Sequence, residues 1–423
     1  MELTDAPEMS SASSAVMQAA RERSDALDRL VWADAESATG SFAAAASGGS
    51  VDAGAGLDGD IVVLDDRTGA LTAWALARVL EQPAGGGADG SAPGRVIARS
   101  RSLAEARALR AMADAFGERV AARLHVAGID GPGEGLGDTL DECAARPVFA
   151  VGRLPKSLNA LDDWTRALAR HAARTDTPVA LVLGGNTRHM SRSMNDVLGR
   201  GFRTVSAGRG RGKFRCLHAS GAREGVEEHA GQRGGSDGTI VGLGGVFSGG
   251  RADHGGVALA AAAPAALAGL AERADGGLPL RVLDLGSGNG SVALDVLNAA
   301  RGAGRAIDLL ATDIDLDAVR TTRATLAAWP DVAVTWDDAA SGVADGSMDL
   351  VLLNPPFHEG TRVDPSLAGP LLDAAFRVLA PGGMLLVVHN SHLRYRPLLA
   401  ARAERVREVS RDRRFTVLSA TAR

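Results

Sequence analysis

The chain has few of the residues that staple small or secreted folds. It contains two cysteines, Cys143 and Cys216, and neither stands in a metal-binding or redox spacing. A disulfide framework or a cysteine zinc site is therefore not expected, and a reducing, cytoplasmic location is. Aromatic residues make up 4% of the chain, with a single tyrosine, so cores must be built from Ala, Val and Leu. A net charge of −5 excludes a globally basic nucleic-acid binder but leaves room for a local basic face. The N-terminus, MELTDAPEMSSASSAV, shows no basic region followed by an apolar core, and no secretory signal is expected. Strongly apolar runs are missing as well. The nearest, Gly255 to Arg273, is mostly Ala and Gly with Pro264 inside. Alanine drives membrane insertion weakly, so a buried or amphipathic helix is expected and no membrane partner.

What is present is alternation. At 423 residues the chain can hold two or three domains. Residues 1–57 read as a poorly ordered extension: one helix, Ala15 to Trp32, runs into a Gly/Ala/Ser stretch that buries little for the entropy of ordering it. From 58 to 220, strand-like runs such as DIVVLDD, RVIARS, PVFAVGR and TPVALVLGG alternate with helical ones. Residues 221–239, rich in Gly and charge, read as a linker. From 240 to 423 the alternation resumes with LRVLDLG, AIDLLATD, VAVTWDD, MDLVLLN and GGMLLVVHN. Strands separated by helices imply a mostly parallel sheet, because parallel neighbours need crossover connections. Two blocks of similar length suggest a duplicated α/β fold.

Chemistry concentrates in the second block. Its first strand ends in DLGSGNG, with Gly286, Gly288 and Gly290 directly after an acid-bearing strand end at Asp284. Glycine lets backbone approach a ligand and turn sharply into a helix. The next strand ends in Asp313, placed to hold ribose hydroxyls unless it is a helix N-cap, a task Asp315 could fill instead. The third ends in Asp337 and Asp338, acids able to accept from an adenine amine. The fourth runs into Asn354-Pro355-Pro356-Phe357. The prolines stiffen that turn and aim its carbonyls. The Asn354 amide oxygen and the Pro355 carbonyl can then accept both hydrogens of a planar amine, and Phe357 can stack on its ring. Acceptors on an exocyclic amine stabilise the charge that grows on nitrogen as it attacks a methyl group, and no strong general base is needed.

These motifs resemble class I S-adenosylmethionine-dependent methyltransferases, and within them the ribosomal RNA guanine-N2 methyltransferases. The resemblance rests on GVFSGGRADHG, the glycine loop, NPPFHEG, HNSHLRY and RRFTVLSATAR in the second block, and on IVVLDDRTGAL, FAVGRLPKSLNALDDWTRAL and VALVLGGNTRHM in the first. It spans about residue 58 to the end. It implies two tandem Rossmann-like methyltransferase domains, the N-terminal one degenerate and the C-terminal one catalytic. The first block keeps only Gly69 of a glycine loop and only Pro155 of an Asn-Pro-Pro step. Carried over by motif, Asp284, Gly286, Ser287, Gly288 and Gly290 would bind the cofactor's methionine side, with Asp313 on the ribose, Asp338 on the adenine amine and Asn354 at the reaction centre. Asn354, Pro355, Pro356 and Phe357 would hold the guanine. Asp253 would line or support the methionine end. HNSHLRY, LPKSLNAL and GRGKFRCL favour the large-subunit 23S rRNA member over the small-subunit 16S rRNA member.

The RNA partner would meet a basic stretch from Arg200 to Arg215 that carries no acid, in particular Arg209, Arg211, Lys213 and Arg215. His392 and Tyr395, beyond the last central strand, would face the same crevice. A second run, from Arg394 to Arg423, has nine arginines against three acids and reads equally well as a solvated surface. No metal site is expected from His389 and His392, and no obligate protein partner is evident. Two other readings stay open from sequence: a protein glutamine N5 methyltransferase, which shares the Asn-Pro-Pro-aromatic step, and a non-catalytic RNA-binding relict of the fold.

Overall fold

The structure, a computed structural model, describes residues 5–47, 59–82, 93–131, 133–141, 145–235, 238–272, 278–356, 358–359, 362–363 and 368–423. The chain divides into two compact units, Met1–Ala230 and Gly231–Arg423.

In the first unit, β1 (Asp60–Leu64), β2 (Val96–Arg99), β3 (Leu124–Val126), β4 (Val148–Arg153) and β5 (Val179–Asn186) are joined by β6 (Phe202–Ala207) and β7 (Phe214–Ala222). The sheet order is β3-β2-β1-β4-β5-β7-β6. Pairing is parallel from β3 to β5, and β7 runs antiparallel to both β5 and β6. The central strands are buried along their length, which is why they read as unbroken apolar runs rather than alternating ones. Trp74, Trp164 and Phe149, three of the chain's few aromatics, are fully buried here.

The N-terminal extension departs from its expected poor order. Asp5–Arg23 and Ala26–Ser47 are helices. Val16, Ala20, Leu27, Leu30, Val31 and Ala35 are buried against the first unit. Composition hid this because the contact depends on small residues in the partner surface. A Cβ added at Gly184 of β5 would lie 2.4 Å from Val31 Cγ2, so glycine there lets the second helix lie directly on the sheet.

The expected linker is also structured in part. Gly221 and Ala222 end β7, and His229 is held by Asp162 (3.0 Å) and Asn159 (2.8 Å). Beyond the division, β8 (Gln232–Gly234) pairs antiparallel with β9 (Ile240–Gly242).

The second unit repeats the topology. Its strands are β10 (Leu280–Leu285), β11 (Ile307–Asp313), β12 (Ala333–Trp336) and β13 (Met348–Leu353). A short hairpin, β14 (His358–Glu359) and β15 (Arg362–Val363), precedes β16 (Leu379–Asn390), β17 (Ala403–Arg411) and β18 (Phe415–Ala422). The order β12-β11-β10-β13-β16-β18-β17 matches the first sheet strand for strand. Both sheets thus have the Rossmann-like methyltransferase arrangement. The strand order reverses beside β10, and a doubly wound sheet binds its ligand at the carboxyl ends next to such a reversal. The long apolar helix His254–Ala271 buries Leu259, Ala263 and Leu267 in the core of this unit. Among the described residues it alone is long and apolar enough to cross a membrane, and half of it is buried inside the protein.

Candidate active site

The glycine loop follows β10 with all three glycines at positive φ: Gly286 at 80°, Gly288 at 58° and Gly290 at 76°. Gly290 is the N-cap of the helix Ser291–Gly302 and is packed, since a Cβ there would meet Thr322 Cα at 3.1 Å. A Cβ on Gly286 or Gly288 would meet nothing within 4 Å. Those two glycines are thus not demanded by packing. They keep a bare, left-handed backbone facing open space, as a close-lying ligand requires. Ser287 turns inward, its hydroxyl 3.0 Å from that of Thr322, so it braces the loop.

Two acids converge on this loop. Asp284 is 3% exposed, and its Oδ2 has no hydrogen-bond partner. Burial, reinforced by the nearby Asp313, pushes its carboxyl up to about 7. Asp313, at the end of β11, accepts from the Gly288 N–H (2.9 Å) and the Asp315 N–H (2.9 Å). Burial pushes it up to about 6. Asp315, not Asp313, caps the helix Leu316–Thr325. Asp313 is thereby free of the capping role, and its carboxylate, with about four acceptor sites, is not saturated by the backbone N–H groups that reach it. An orphaned buried carboxylate oxygen beside a second carboxylate fits a ligand with a cationic end and hydroxyl donors, which is the donor set of S-adenosylmethionine.

The two acids after β12 divide as their burial dictates. Asp337 is buried and accepts from Ser341 Oγ and the Gly342 N–H, so its carboxylate holds its own turn. Asp338 is exposed. Ile314, which follows Asp313, is 40% exposed, unusual for an isoleucine beside a sheet.

Asn354 leaves the end of β13, and the β10–β13 register brings this step beside the glycine loop. Its Nδ2 donates to Asp253 Oδ2 at 3.1 Å. Pro355 is buried and Pro356 exposed. Phe357 lies outside the described residues. His392 is exposed, but Tyr395 corrects the expectation placed on it. It is 2% exposed and stacks on His389 with ring centroids 4.7 Å apart. Burial pushes its phenol up to about 12. Tyr395 is a core residue out of reach of an RNA strand, because its ring is buried in the apolar core and stacked on His389 of β16. Among the described residues no group of three His, Cys, Asp or Glu gathers as a metal site.

The supporting residues carry a signal that the motif reading passed over. Asp317, Thr321 and Thr325 accept from the backbone N–H of Gly245 (2.7 Å), Leu243 (3.1 Å) and Val241 (3.1 Å). Four helical residues advance about 6 Å and two extended residues about 6.6 Å, so a polar stripe at every fourth position of a helix can hold every second N–H of an extended chain. Asn289 of the glycine loop then donates to the carbonyls of Gly249 (2.9 Å) and Arg251 (2.7 Å). The Gly-Val-Phe-Ser segment is pinned at both ends, with Phe247 74% exposed between the anchors.

In the first unit, Arg209, Arg211, Lys213 and Arg215 are all exposed. Arg209 ends the chain leaving β6, and the other three sit in or beside the turn that enters β7, with the Lys213 ammonium 5.3 Å from the Phe214 ring centre. Because Phe214 pairs with Asn186 at the end of β5, this turn lies at the carboxyl edge of the first sheet.

Residues 237–419 match the family model of the methyltransferase small domain. The ribosomal RNA large subunit methyltransferase G of Streptomyces coelicolor is 43% identical over 144 residues, 33% of this chain and 37% of that protein. The ribosomal RNA small subunit methyltransferase C of Chromohalobacter salexigens is 35% identical over 176 residues, 42% of this chain and 49% of that protein. A large subunit methyltransferase G of Shewanella amazonensis is 28% identical over 295 residues, 66% of this chain and 72% of that protein. The matches thus span 37% and 49% of the length of the first two relatives. A T. thermophilus 16S rRNA N2 methyltransferase, solved with AdoMet and guanosine, aligns over 86% of this chain and 88% of its own, with a TM-score of 0.57 and 21% identity, which establishes the shared two-domain fold. Residues 237–419 thus match the methyltransferase small domain, and the chain is similar to the ribosomal RNA large subunit methyltransferases G and small subunit methyltransferases C.

Proposed function

We propose that this protein transfers a methyl group from S-adenosylmethionine to the exocyclic N2 amine of a guanine in ribosomal RNA in the cytoplasm. The observation that carries the reading is the meeting of Asn354 with the bare glycine loop, the orphaned Asp284 oxygen and the uncapped Asp313 at one strand reversal. S-adenosylmethionine, when bound, supplies an electrophilic methyl group on a sulfonium.

The chain's residues do the rest. Gly286, Ser287 and Gly288 offer backbone to the methionine side, and Asp284 supplies negative charge there. Asp313 holds the ribose, and Asp338, exposed at the loop after β12, takes the adenine amine. The Asn354 Oδ1 and the Pro355 carbonyl accept the two N–H groups of guanine N2, and Pro356 and Phe357 shape the base slot. Guanine N2 is a poor nucleophile because its lone pair is shared with the ring. Two aimed acceptors stabilise the positive charge that develops there as it attacks. The surplus proton on N2 then leaves to solvent, so no dedicated base is required.

The target is proposed to lie in the large-subunit RNA, on the strength of HNSHLRY, LPKSLNAL and GRGKFRCL. Arg209, Arg211, Lys213 and Arg215 contact phosphates of the RNA, and His392, exposed on the second unit, is a further RNA contact. The test is methyl transfer to rRNA from cells lacking the protein, followed by mapping of the modified nucleotide. Asn354→Ala is expected to slow transfer by about 10²–10³, the scale for losing one aimed polar group, with cofactor affinity nearly unchanged. A variant working at the wild-type rate rules out the amine grip.

A further inference from the structure

Asn354 can accept from a substrate amine only if its oxygen, not its NH₂, faces the substrate. The two ends of a carboxamide are nearly the same size, so packing alone does not choose between them. A hydrogen bond does. The Asn354 Nδ2 lies 3.1 Å from Asp253 Oδ2. A carboxylate oxygen only accepts, so this contact is satisfied in one flip of the amide and becomes an oxygen-to-oxygen repulsion in the other. We infer that Asp253 is the positioning residue that sets the amide orientation of Asn354 and so points Oδ1 at the substrate amine. This rests on the amine grip proposed above.

The surroundings are built for that task. Asp253 is the N-cap of the helix His254–Ala271, and the same Oδ2 that accepts from Asn354 also accepts from the Gly256 N–H at 3.1 Å. The cap bond fixes the carboxylate on a rigid helix start, and the fixed carboxylate fixes the amide. Glycines at the next positions keep the far side clear. A Cβ on Gly255 would come within 3.3 Å of Asn354 Oδ1 and 3.0 Å of Asp253 Oδ2, crowding the oxygen that must stay open. The helix start is itself held in place through Asn289 and the carbonyls of Gly249 and Arg251. A negative charge behind the Asn354 NH₂ also polarises the amide, making Oδ1 a stronger acceptor as the substrate nitrogen becomes positive.

Capping and positioning are separable. Asp253→Ser retains a good N-cap but is too short to reach Asn354. Asp253→Asn can serve both donors through one amide oxygen. Asp253→Ser is expected to keep the wild-type melting temperature and cofactor affinity, to leave KM for rRNA little changed, and to lower kcat by about 10–100-fold, the scale for a misaimed reacting group. Asp253→Asn is expected to recover most of that loss. Wild-type kcat in Asp253→Ser would reduce Asp253 to a cap, and lost cofactor affinity in that variant would make it a cofactor ligand instead. If Asp253→Asn is as slow as Asp253→Ser, charge rather than orientation is at work and the inference falls. Asn354→Ala run alongside separates the two layers. If it too transfers at the wild-type rate, the amine grip itself has failed; if it is slow while Asp253→Ser is fast, only the positioning role has failed.

Discussion

The two sheets have the same strand order, yet opposite chemistry at their carboxyl ends. Leu64 pairs with Arg99 and Gly152 in the first sheet as Leu285 pairs with Thr312 and Leu353 in the second. Counting on from these pairs, Asp65 stands where Gly286 stands, Arg67 where Gly288 does, Ser100 for Asp313 and Arg153 for Asn354. Gly69 and Gly290 correspond, with nearly identical backbone angles (φ 76, ψ 2 and φ 76, ψ 5). Even the left-handed start of the loop survives, at Asp65 with φ 51 against Gly286 with φ 80. The path of the backbone was kept and the bare surface was lost.

The first unit fills its own crevice. Arg153 pairs with Asp25 at 2.8 Å and Asp28 at 2.6 Å, both at the junction of the two N-terminal helices. Asp28 also accepts from Thr68 Oγ1 at 2.8 Å, in the loop after β1. Asp66 closes that loop on itself through the N–H groups of Gly69 and Thr72. Where the second unit leaves open glycines, the first spans the same place with ion pairs and hydrogen bonds of its own side chains. A duplicated fold can thus lose a ligand site by covering it with its own chain, while the sheet beneath stays intact.

Giving the second loop the first loop's residue is the strongest way to test this. Gly288→Arg should abolish cofactor binding measurable by calorimetry, because its side chain enters the space that Gly288 leaves bare. Retained affinity would place the ligand elsewhere. Next in size is Arg153→Ala, which leaves Asp28 buried without its cation. Breaking a buried pair costs about 3–5 kcal/mol, and here about 2–3 kcal/mol is expected because Asp28, already held above the usual carboxylate range by burial, can take up a proton. Denaturant unfolding reads the loss, and cofactor affinity should not change.

Asp313→Ala, which makes the second unit resemble Ser100 of the first, should weaken S-adenosylmethionine binding by about 1–3 kcal/mol through lost charge-assisted bonds. Equal affinity would leave Asp313 a loop brace. The same carboxylates set a pH dependence. Asp284 and Asp313 are pushed up to about 7 and about 6, and a cationic ligand favours their charged forms. Affinity should therefore be full above about pH 7 and fall as the pH drops through 7 toward 6. A flat profile between pH 5.5 and 8.5 would remove both acids from the site. The smallest effect concerns the RNA edge of the first unit. Neutralising Arg209, Arg211, Lys213 and Arg215 together should flatten the log-log salt dependence of rRNA binding by about 0.7–0.9 per lost phosphate contact, without touching cofactor affinity. Parallel salt slopes would leave the first unit without a role in RNA recognition.

Much of this was legible in the residues. Alternating buried strands and helices have a period and a length that local chemistry enforces, so both α/β units could be read from apolar runs and breakers. The glycine loop and the Asn-Pro-Pro step were legible as candidate site elements because such turns need backbone freedom or stiffness that only Gly and Pro supply, and Asp313 because it closes the neighbouring strand. A helix near Ala15 to Trp32 was legible, but the packing that orders the N-terminal helices was not, because it comes from contact with Gly184 and Arg153, more than a hundred residues away in the chain. Tyr395 was misread for the same reason: position after a strand end says which edge a residue is near, and not whether its ring points outward or into the core. Asp253 and Asn354 are 101 residues apart, and no local pattern ties a helix cap to an amide at a distant strand end. The sequence by itself determined which backbone could lie bare against a ligand. Tertiary structure decided which way Asn354 faces and which of the two crevices stays open, because both depend on hydrogen bonds and ion pairs that exist only once distant segments are packed together.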